Sequence, residues 1–323
     1  MPGVSFVITI YNKAPYLAAV LPALGGQSGD FEREFIFVDD GSTDGSADLI
    51  ERQTADWPHA VDVIRQPNQG ASKATNTGVD AASLPWIKLV DGDDVLVPGA
   101  TSWLLAAAAR HGVAHAWGDL GTYDLEGDQH GEGDQEGDRN HLGEPPGEPS
   151  SELMTDGLER FIRNCPANST SILIARDYYH MIGGCDERLV SPDQMLFLRL
   201  FAAGPGAHVK APVGLVPVKA PGRLSSQQSR SRYESVLALY YLMTETPGVT
   251  DARKLQAYRR ALSRAYRFHR GHGDKWVFSS HLLPYLRSKI RPPRDIAAAV
   301  HRSLGAFTAT GAPERPDDWL PGA

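Results

Sequence analysis

The chain has 323 residues, 41% of them hydrophobic and 22% charged, with a formal net charge of −7. That balance excludes a disordered polyelectrolyte and leaves room for one large domain or two modest ones. The acidic sign speaks against a nucleic-acid partner, because such proteins usually carry a basic surface.

In chain order, "VSFVITI" (4–10) is a short β-branched run suited to a strand buried on both faces, and Pro15 then opens a helix with apolar Leu17, Val20, Leu21 and Leu24. "EFIFV" (34–38) is a second strand, followed by the turn Asp40 to Gly45 and a helix through Ala47, Leu49 and Ile50. "VDVIRQ" (61–66) is a third, leading into the helical "NQGASKATNTGVDAA". "WIKLV" (86–90) is a fourth, and after an acidic cluster an Ala-rich helix runs from Pro98 to about Arg110. Successive βα units predict a mainly parallel sheet flanked by helices, with ligands at the carboxyl ends of its strands.

Residues 124–150 are dominated by Gly, Pro and acids and predict a flexible surface insertion rather than packed structure, His130 and His141 included. Order resumes with a short helix in "TDGLERFIRN", a strand in "TSILIA" (170–175), a helix ending at Gly183 and Gly184, and a helix in "SPDQMLFLRLFAAG" (191–204) whose first turn holds Pro192 and Asp193. From Ser229 the pattern is helical and the charge reverses, with Arg253, Lys254, Arg259, Arg260, Arg264, Arg267, Arg270, Lys275, Arg287, Lys289, Arg291 and Arg294 outnumbering the acids. These are either solvated helix faces or a surface attracted to anionic phospholipid or to a lipid-linked diphosphate acceptor. The division expected is a domain over 1–220 and a helical C-terminal region over 221–323. Cys165 and Cys185 are too few for a disulfide framework and read as small buried hydrophobes in a reducing compartment. No signal-peptide pattern and no apolar run long enough to span a membrane occur, so the expected location is cytoplasmic, with a peripheral position at the inner face of the membrane if the basic helices touch lipid.

Polar residues collect after each of the first strands: Tyr11 and Asn12, Asp39 and Asp40, Gln66 to Gly70, and Asp91, Asp93 and Asp94. Alone, "DDGSTDG" is as readily an ordinary turn. Three carboxylates in four positions are another matter: two unit charges about 4 Å apart cost roughly 4 kcal/mol at a protein surface, so a positive charge is expected among them.

The segments "VITIYNKAPYL", "FVDDGSTDGSADLI", "NQGASKATNTG", "KLVDGDDVLVPGA" and "GGCDERL…SPDQMLFLRL" resemble, in order, the motifs of family 2 glycosyltransferases, inverting enzymes of the GT-A fold. The resemblance spans residues 4–204. It implies a nucleoside-diphosphate sugar as donor, a UDP-sugar first among them, and a glycan or lipid-linked acceptor. It also implies Mn²⁺ or Mg²⁺ as cofactor, a hard cation on oxygen ligands that offsets the charge of the departing diphosphate. By the same resemblance Asp91, Gly92 and Asp93 form the D-x-D motif, with Asp91 and Asp93 as metal ligands. Thr9 and Tyr11 line the nucleotide pocket, Asp39 or Asp40 meets the base or ribose, and Asn68, Gly70, Lys73 and Asn76 form a third motif in which Thr75 stands where the family carries Arg. Asp193 is the implied catalytic base, with Pro192 replacing the family's Glu, and Arg199 lies near the phosphates or bridges helices. Arg223, Ser225 and Ser226 are weaker candidates on a covering loop. The absence of a processive Q-x-x-R-W motif implies transfer of one sugar per encounter. The rivals are an inactive nucleotide- or glycan-binding module of the same fold, or a sugar nucleotidyltransferase. A nicotinamide oxidoreductase is excluded, since no G-x-G-x-x-G follows the first strand.

Overall fold

A computed structural model describes residues 1–125, 147–218, 228–271 and 281–310. Most of the expected acidic insertion, with His130 and His141, lies outside the described residues, as do Arg223, Ser225, Ser226 and Lys275.

The four expected βα units are present: β1 (Gly3–Ile10) and α1 (Leu17–Gly25), β2 (Glu32–Asp39) and α2 (Ser46–Thr54), β3 (Ala60–Arg65) and α3 (Ala71–Ala81), and β4 (Trp86–Asp91), which after the two-residue β5 (Val95–Leu96) is followed by α4 (Ala100–His111). These strands pair in parallel in the order β3-β2-β1-β4. The inner strands match their expected burial, with Phe6, Ile8, Phe35, Phe37 and Ile87 fully buried, while β3, at the edge, has no buried residue. Phe6 and Phe35 stack with ring centroids 4.9 Å apart, and Trp57 meets Phe35 edge-on at 4.7 Å.

Beyond β4 the sheet continues in a way the sequence pattern does not announce. β6 (His115–Tyr123), β7 (Ser151–Met154), β8 (Ile172–Ala175) and β9 (Gly206–Pro217) extend the order as β8-β6-β9-β5, with β7 also on β9. β8 pairs antiparallel with both β4 and β6, and β5 and β7 pair antiparallel with β9. β6 and β9 run parallel, with register shifts at Gly118 to Leu120. The parallel half is therefore the expected one, and the remainder is mixed.

The other helices are α5 (Gly157–Arg163), α6 (Arg176–Met181), α7 (Asp193–Ala203), α8 (Gln228–Thr244), α9 (Asp251–Gly271), α10 (Leu282–Ile290) and α11 (Ile296–Thr310). The described residues fall into two compact units. One takes in Met1–Met154, Ala167–Gly184 and Pro205–Pro221, and the other Thr155–Pro166, Cys185–Gly204 and Gly222–Ala323. The division differs from a cut at 220, because α5 and α7 belong with the C-terminal helices: Phe161 stacks on Phe197 and Phe201 with centroids 4.7 and 4.9 Å apart, burying the apolar faces of two helices that the chain separates from that region. Among the described residues no helix is long and apolar enough to cross a membrane. Cys165 and Cys185 are free thiols, the second of them buried.

Candidate active site

Three strand ends in the sheet unit stand level. Thr9 pairs in register with Val38 and with Asp91, and the next residue of β1, Ile10, pairs with Asp39. The carboxyl ends of β1, β2 and β4 thus bring Thr9, Asp39 and Asp91 to one rim, as expected for ligand sites in such sheets.

The loops at this rim are fixed by one another. Asn12 adopts φ +53°, the one positive φ outside glycine among the described residues. Its Oδ1 accepts from Thr43 N at 2.8 Å, while its own N–H donates to Ser42 Oγ at 2.9 Å. Lys13 N–H donates to Ser46 Oγ at 2.9 Å, and Asp44 accepts from Ala14 N at 2.9 Å and from Ser46 N at 3.0 Å. Burial pushes the Asp44 carboxyl up, but the hydrogen bonds from Ser46 and Ala14 outweigh it and hold the group below its usual range. The turn that reads equally as an ordinary loop is therefore a clamp on residues 12–14.

Asp39 and Asp40, which the sequence could not tell apart, have different surroundings. Asp40 Oδ1 accepts from Gln66 Nε2 at 2.7 Å and Gln69 N at 2.9 Å, and its Oδ2 accepts from Gly70 N at 2.8 Å. It ties down the loop after β3. Among the described residues Asp39 accepts only from Ser42 N, at 3.4 Å to each oxygen, so its carboxylate keeps acceptor capacity for a ligand. Gly70 at φ +92° opens α3 in a conformation that suits glycine. At Gly41, φ +80°, a Cβ would sit 2.9 Å from Asn68 N, which sets the two loops in contact. Asn68 and Lys73 are half-buried on this loop and the first turn of α3. Asn76 Oδ1 accepts from Tyr179 Oη at 2.6 Å. Thr75, where the family carries Arg, is buried and donates to Ala71 O at 2.8 Å, so its hydroxyl is turned into its own helix.

The acidic cluster divides likewise. Gly92 N donates to Thr9 O at 3.0 Å, and a Cβ at Gly92 would lie 2.7 Å from that carbonyl oxygen, so the D-G-D spacing is imposed by the approach of β1. Asp93 Oδ2 accepts from Lys13 Nζ at 2.7 Å, with side chains 7% and 21% exposed. Tyr123 Oη donates to Asp93 O at 2.7 Å. Asp94 is buried and accepts from Thr170 Oγ1 at 2.6 Å and Asn168 Nδ2 at 2.8 Å, so it anchors the turn before β8 and does not cap α4. Beneath the cluster lies Lys88, fully buried, its Nζ donating to Leu89 O at 2.9 Å and to Thr170 O. Burial pulls this ammonium down to about 7 against the opposing pull of Asp94 and Asp91. The positive charge expected among the carboxylates is therefore supplied in part by the chain itself, and repulsion alone no longer argues for a metal. That is a correction to the sequence reading, which overlooked Lys13 because it stands eighty residues away. Among the described residues no group of three or more His, Cys, Asp or Glu is placed to hold a metal. The two carboxylates still suit a hard cation whose other ligands are phosphate oxygens and water, provided Lys13 yields Asp93 Oδ2.

In the helical unit, Asp193 begins α7 and is half-buried. Glu234 of α8, which the sequence reading missed, is buried and accepts from Val190 N at 3.1 Å and Ser191 N at 3.0 Å, setting the backbone just ahead of Asp193. Arg199 Nη2 donates to Asp186 Oδ2 at 2.9 Å, and Arg188 Nη2 to the same oxygen at 2.7 Å. Burial raises the Asp186 carboxyl, yet the Arg188 hydrogen bond and the charges of Arg188 and Arg199 leave it below its usual range. Arg199 thus bridges α7 to the segment before it.

A parallel βα sheet extended by mixed strands, with acids collected at the strand ends, defines an α/β protein of the GT-A fold. Residues 5–163, just under half of the chain, match the model of the family described as Glycosyl transferase family 2. Among similar sequences are the glycosyltransferase EpsH of Bacillus subtilis, 36% identical over 107 residues (33% of this chain, 30% of that protein), and the GalNAc(5)-diNAcBac-PP-undecaprenol beta-1,3-glucosyltransferase of Campylobacter jejuni, 30% identical over 121 residues (37% and 38%). The chain spans only 30 and 38% of the length of these two curated relatives. TarS 1–349 of S. aureus, solved in complex with UDP-GlcNAc, is similar in structure with a TM-score of 0.60 and 14% identity over 97% of this chain and 93% of that one. The mannosyltransferase PcManGT of Pyrobaculum calidifontis, solved with GDP-Man and Mn2+, has a TM-score of 0.51 and 15% identity over 95% and 86%.

Proposed function

We propose that the protein is a metal-dependent, inverting hexosyltransferase that moves one sugar per encounter from a nucleoside-diphosphate sugar, a UDP-sugar first among candidates, to a hydroxyl of a glycan or lipid-linked acceptor in polysaccharide or glycoconjugate synthesis. The observation that carries this is the juxtaposition of Thr9, Asp39 and Asp91 at one rim, next to Gly92 and Asp93, inside the stretch that matches the family. Asp39 is assigned to the base or ribose because Asp40 is committed to the loop at Gly70. Asp91 and Asp93 are assigned to Mn²⁺ or Mg²⁺, which when bound offsets the charge growing on the departing diphosphate. The relative solved with Mn2+ supports the choice of cation.

In the transfer, the acceptor oxygen bonds to the anomeric carbon as the bond to the diphosphate breaks, and that electron pair leaves with the diphosphate. The acceptor proton passes to the Asp193 carboxylate as general base. Lys13, displaced from Asp93, keeps a positive charge at the rim. Asp193→Asn tests the assignment: turnover is expected to fall by roughly 10²–10⁴ while the dissociation constant of the donor stays within twofold. Full activity in the variant would remove Asp193 from the mechanism. A wild-type protein that binds nucleotide sugars but turns over none would instead be a binding module.

A further inference from the structure

The C-terminal basic residues do not act together. Arg253 is paired with Glu159, Arg259 Nη2 donates to Ser288 O at 2.6 Å, and Arg264 donates to Ser235 O at 3.2 Å. They hold the helices of their own unit. A smaller set remains outside. On α10, Ser288 faces inward, 2% exposed and tied to α9 through Arg259. On the opposite side Leu283, Leu286 and Ile290 stand at i, i+3 and i+7, exposed at 56, 48 and 89%. That spacing forms one apolar stripe. Around it Arg287, Lys289, Arg291 and Arg294 are all exposed, and over the described residues 281–295 the one acid is Asp295, which caps α11 through Ala298 N at 2.8 Å.

We propose that α10 is a membrane-contact helix that lies flat on an anionic bilayer surface, with Leu283, Leu286 and Ile290 entering the headgroup boundary and the four cations meeting lipid phosphates. An apolar stripe bordered by cations is the pattern of an interfacial helix, and a stretch of nine residues is far too short to span. The charge chooses between occupants: two copies meeting on this face would bring like charges together, whereas anionic headgroups are complementary. The inference narrows the lipid contact read from the sequence to one helix and is independent of the transferase assignment, since its test uses no sugar.

The test is co-sedimentation of the full chain with vesicles of phosphatidylcholine alone and of phosphatidylcholine mixed with phosphatidylglycerol. Binding to the mixed vesicles is expected, with at least about a tenfold weaker partition to phosphatidylcholine alone or in high salt. Leu286→Ser with Ile290→Ser, both at exposed positions, is expected to lower binding to the mixed vesicles by roughly tenfold or more, with an unchanged circular dichroism spectrum. Arg287→Gln with Lys289→Gln should lower it severalfold and reduce the salt dependence. No binding to the mixed vesicles, equal binding to both compositions, or binding unaffected by the apolar double variant would overturn the proposal. So would a dimer in light scattering that the apolar variant dissolves, which would assign the stripe to a second copy.

Discussion

On the proposed assignment, Lys13 and a divalent cation would compete for the same oxygen of Asp93. An ammonium 2.7 Å from that carboxylate acts as a resident counter-ion, and a cation entering without a nucleotide must displace it. Two unit charges at about 4 Å interact by roughly 4 kcal/mol at an effective dielectric of 20, and the partial exposure of Lys13 reduces that figure. Lys13→Met is accordingly expected to tighten Mn²⁺ binding to the nucleotide-free protein by roughly tenfold, read by titrating free Mn²⁺ with electron paramagnetic resonance. Unchanged affinity would mean that the cation does not use Asp93. Lys88 makes a separate prediction. Its folded pKa, about 7, lies below the ordinary 10.5, so between these values the unfolded chain holds a proton that the folded chain has released. This site therefore adds stability as pH rises through the window and withdraws it as pH falls toward 7. Lys88→Met leaves Leu89 O and Thr170 O without that donor and should cost about 1–3 kcal/mol. In chemical denaturation the stability of the wild type relative to this variant should rise from pH 7 to 10; a difference independent of pH would contradict the burial of a titrating lysine. His115, which burial pulls down to about 3, acts in the acid range: the folded form stays neutral while the unfolded chain protonates, so its contribution is lost as pH falls from 6.5 toward 3.

The loops at the rim are held by one another, and their glycines and acids were only half legible in the sequence. Asp40, Gly70, Gly92 and Asp93 stand in the segments that pattern singles out. Their pairings do not show there, because Gln66, Ser42, Asp44 and Lys13 are ordinary loop residues until folding places them against one another. Asp40 shows the difference: pattern names it as a ligand contact, and geometry makes it the clamp of residues 66–70. Asp40→Ala should cost roughly 2–4 kcal/mol, because it deprives two backbone N–H groups and one amide of their acceptor, and should weaken nucleotide binding without altering its metal dependence. Thermal unfolding with and without nucleotide reads both effects, and a stable variant with normal affinity would refute the clamp. At Gly92 a methyl group would meet Thr9 O at 2.7 Å and Ile10 Cδ1 at 2.6 Å, so Gly92→Ala is expected to part β1 from the D-G-D turn and abolish activity even though both carboxylates remain.

For the molecule as a whole, periodicity reached the parallel half of the sheet and stopped where the chain ceased to alternate strand with helix. β1, β2 and β4 lie inside the sheet and bury most of their residues, which leaves apolar runs to find, whereas β3, at the edge of the sheet, has no buried residue and shows in the sequence only by its β-branched residues. β6, "HAWGDLGTY", and β9, "GAHVKAPVGLVP", mix glycine, proline and charge and are held by non-local partners, β8 and β7 among them, so their strand character follows from tertiary pairing rather than local propensity. The grouping of α5 and α7 with the C-terminal helices was hidden for the same reason. The central claim is that Asp91 and Asp93 hold a cation that carries the diphosphate of a sugar donor. Calorimetric titration of UDP and GDP into wild type, Asp93→Asn and Asp91→Asn proteins, with Mn²⁺ and with chelator, tests it most directly. The account predicts that at least one nucleotide binds with Mn²⁺, that chelation weakens it by tenfold or more, and that either variant does the same and abolishes the further effect of chelation. Nucleotide binding indifferent to Mn²⁺ and to both substitutions would contradict it.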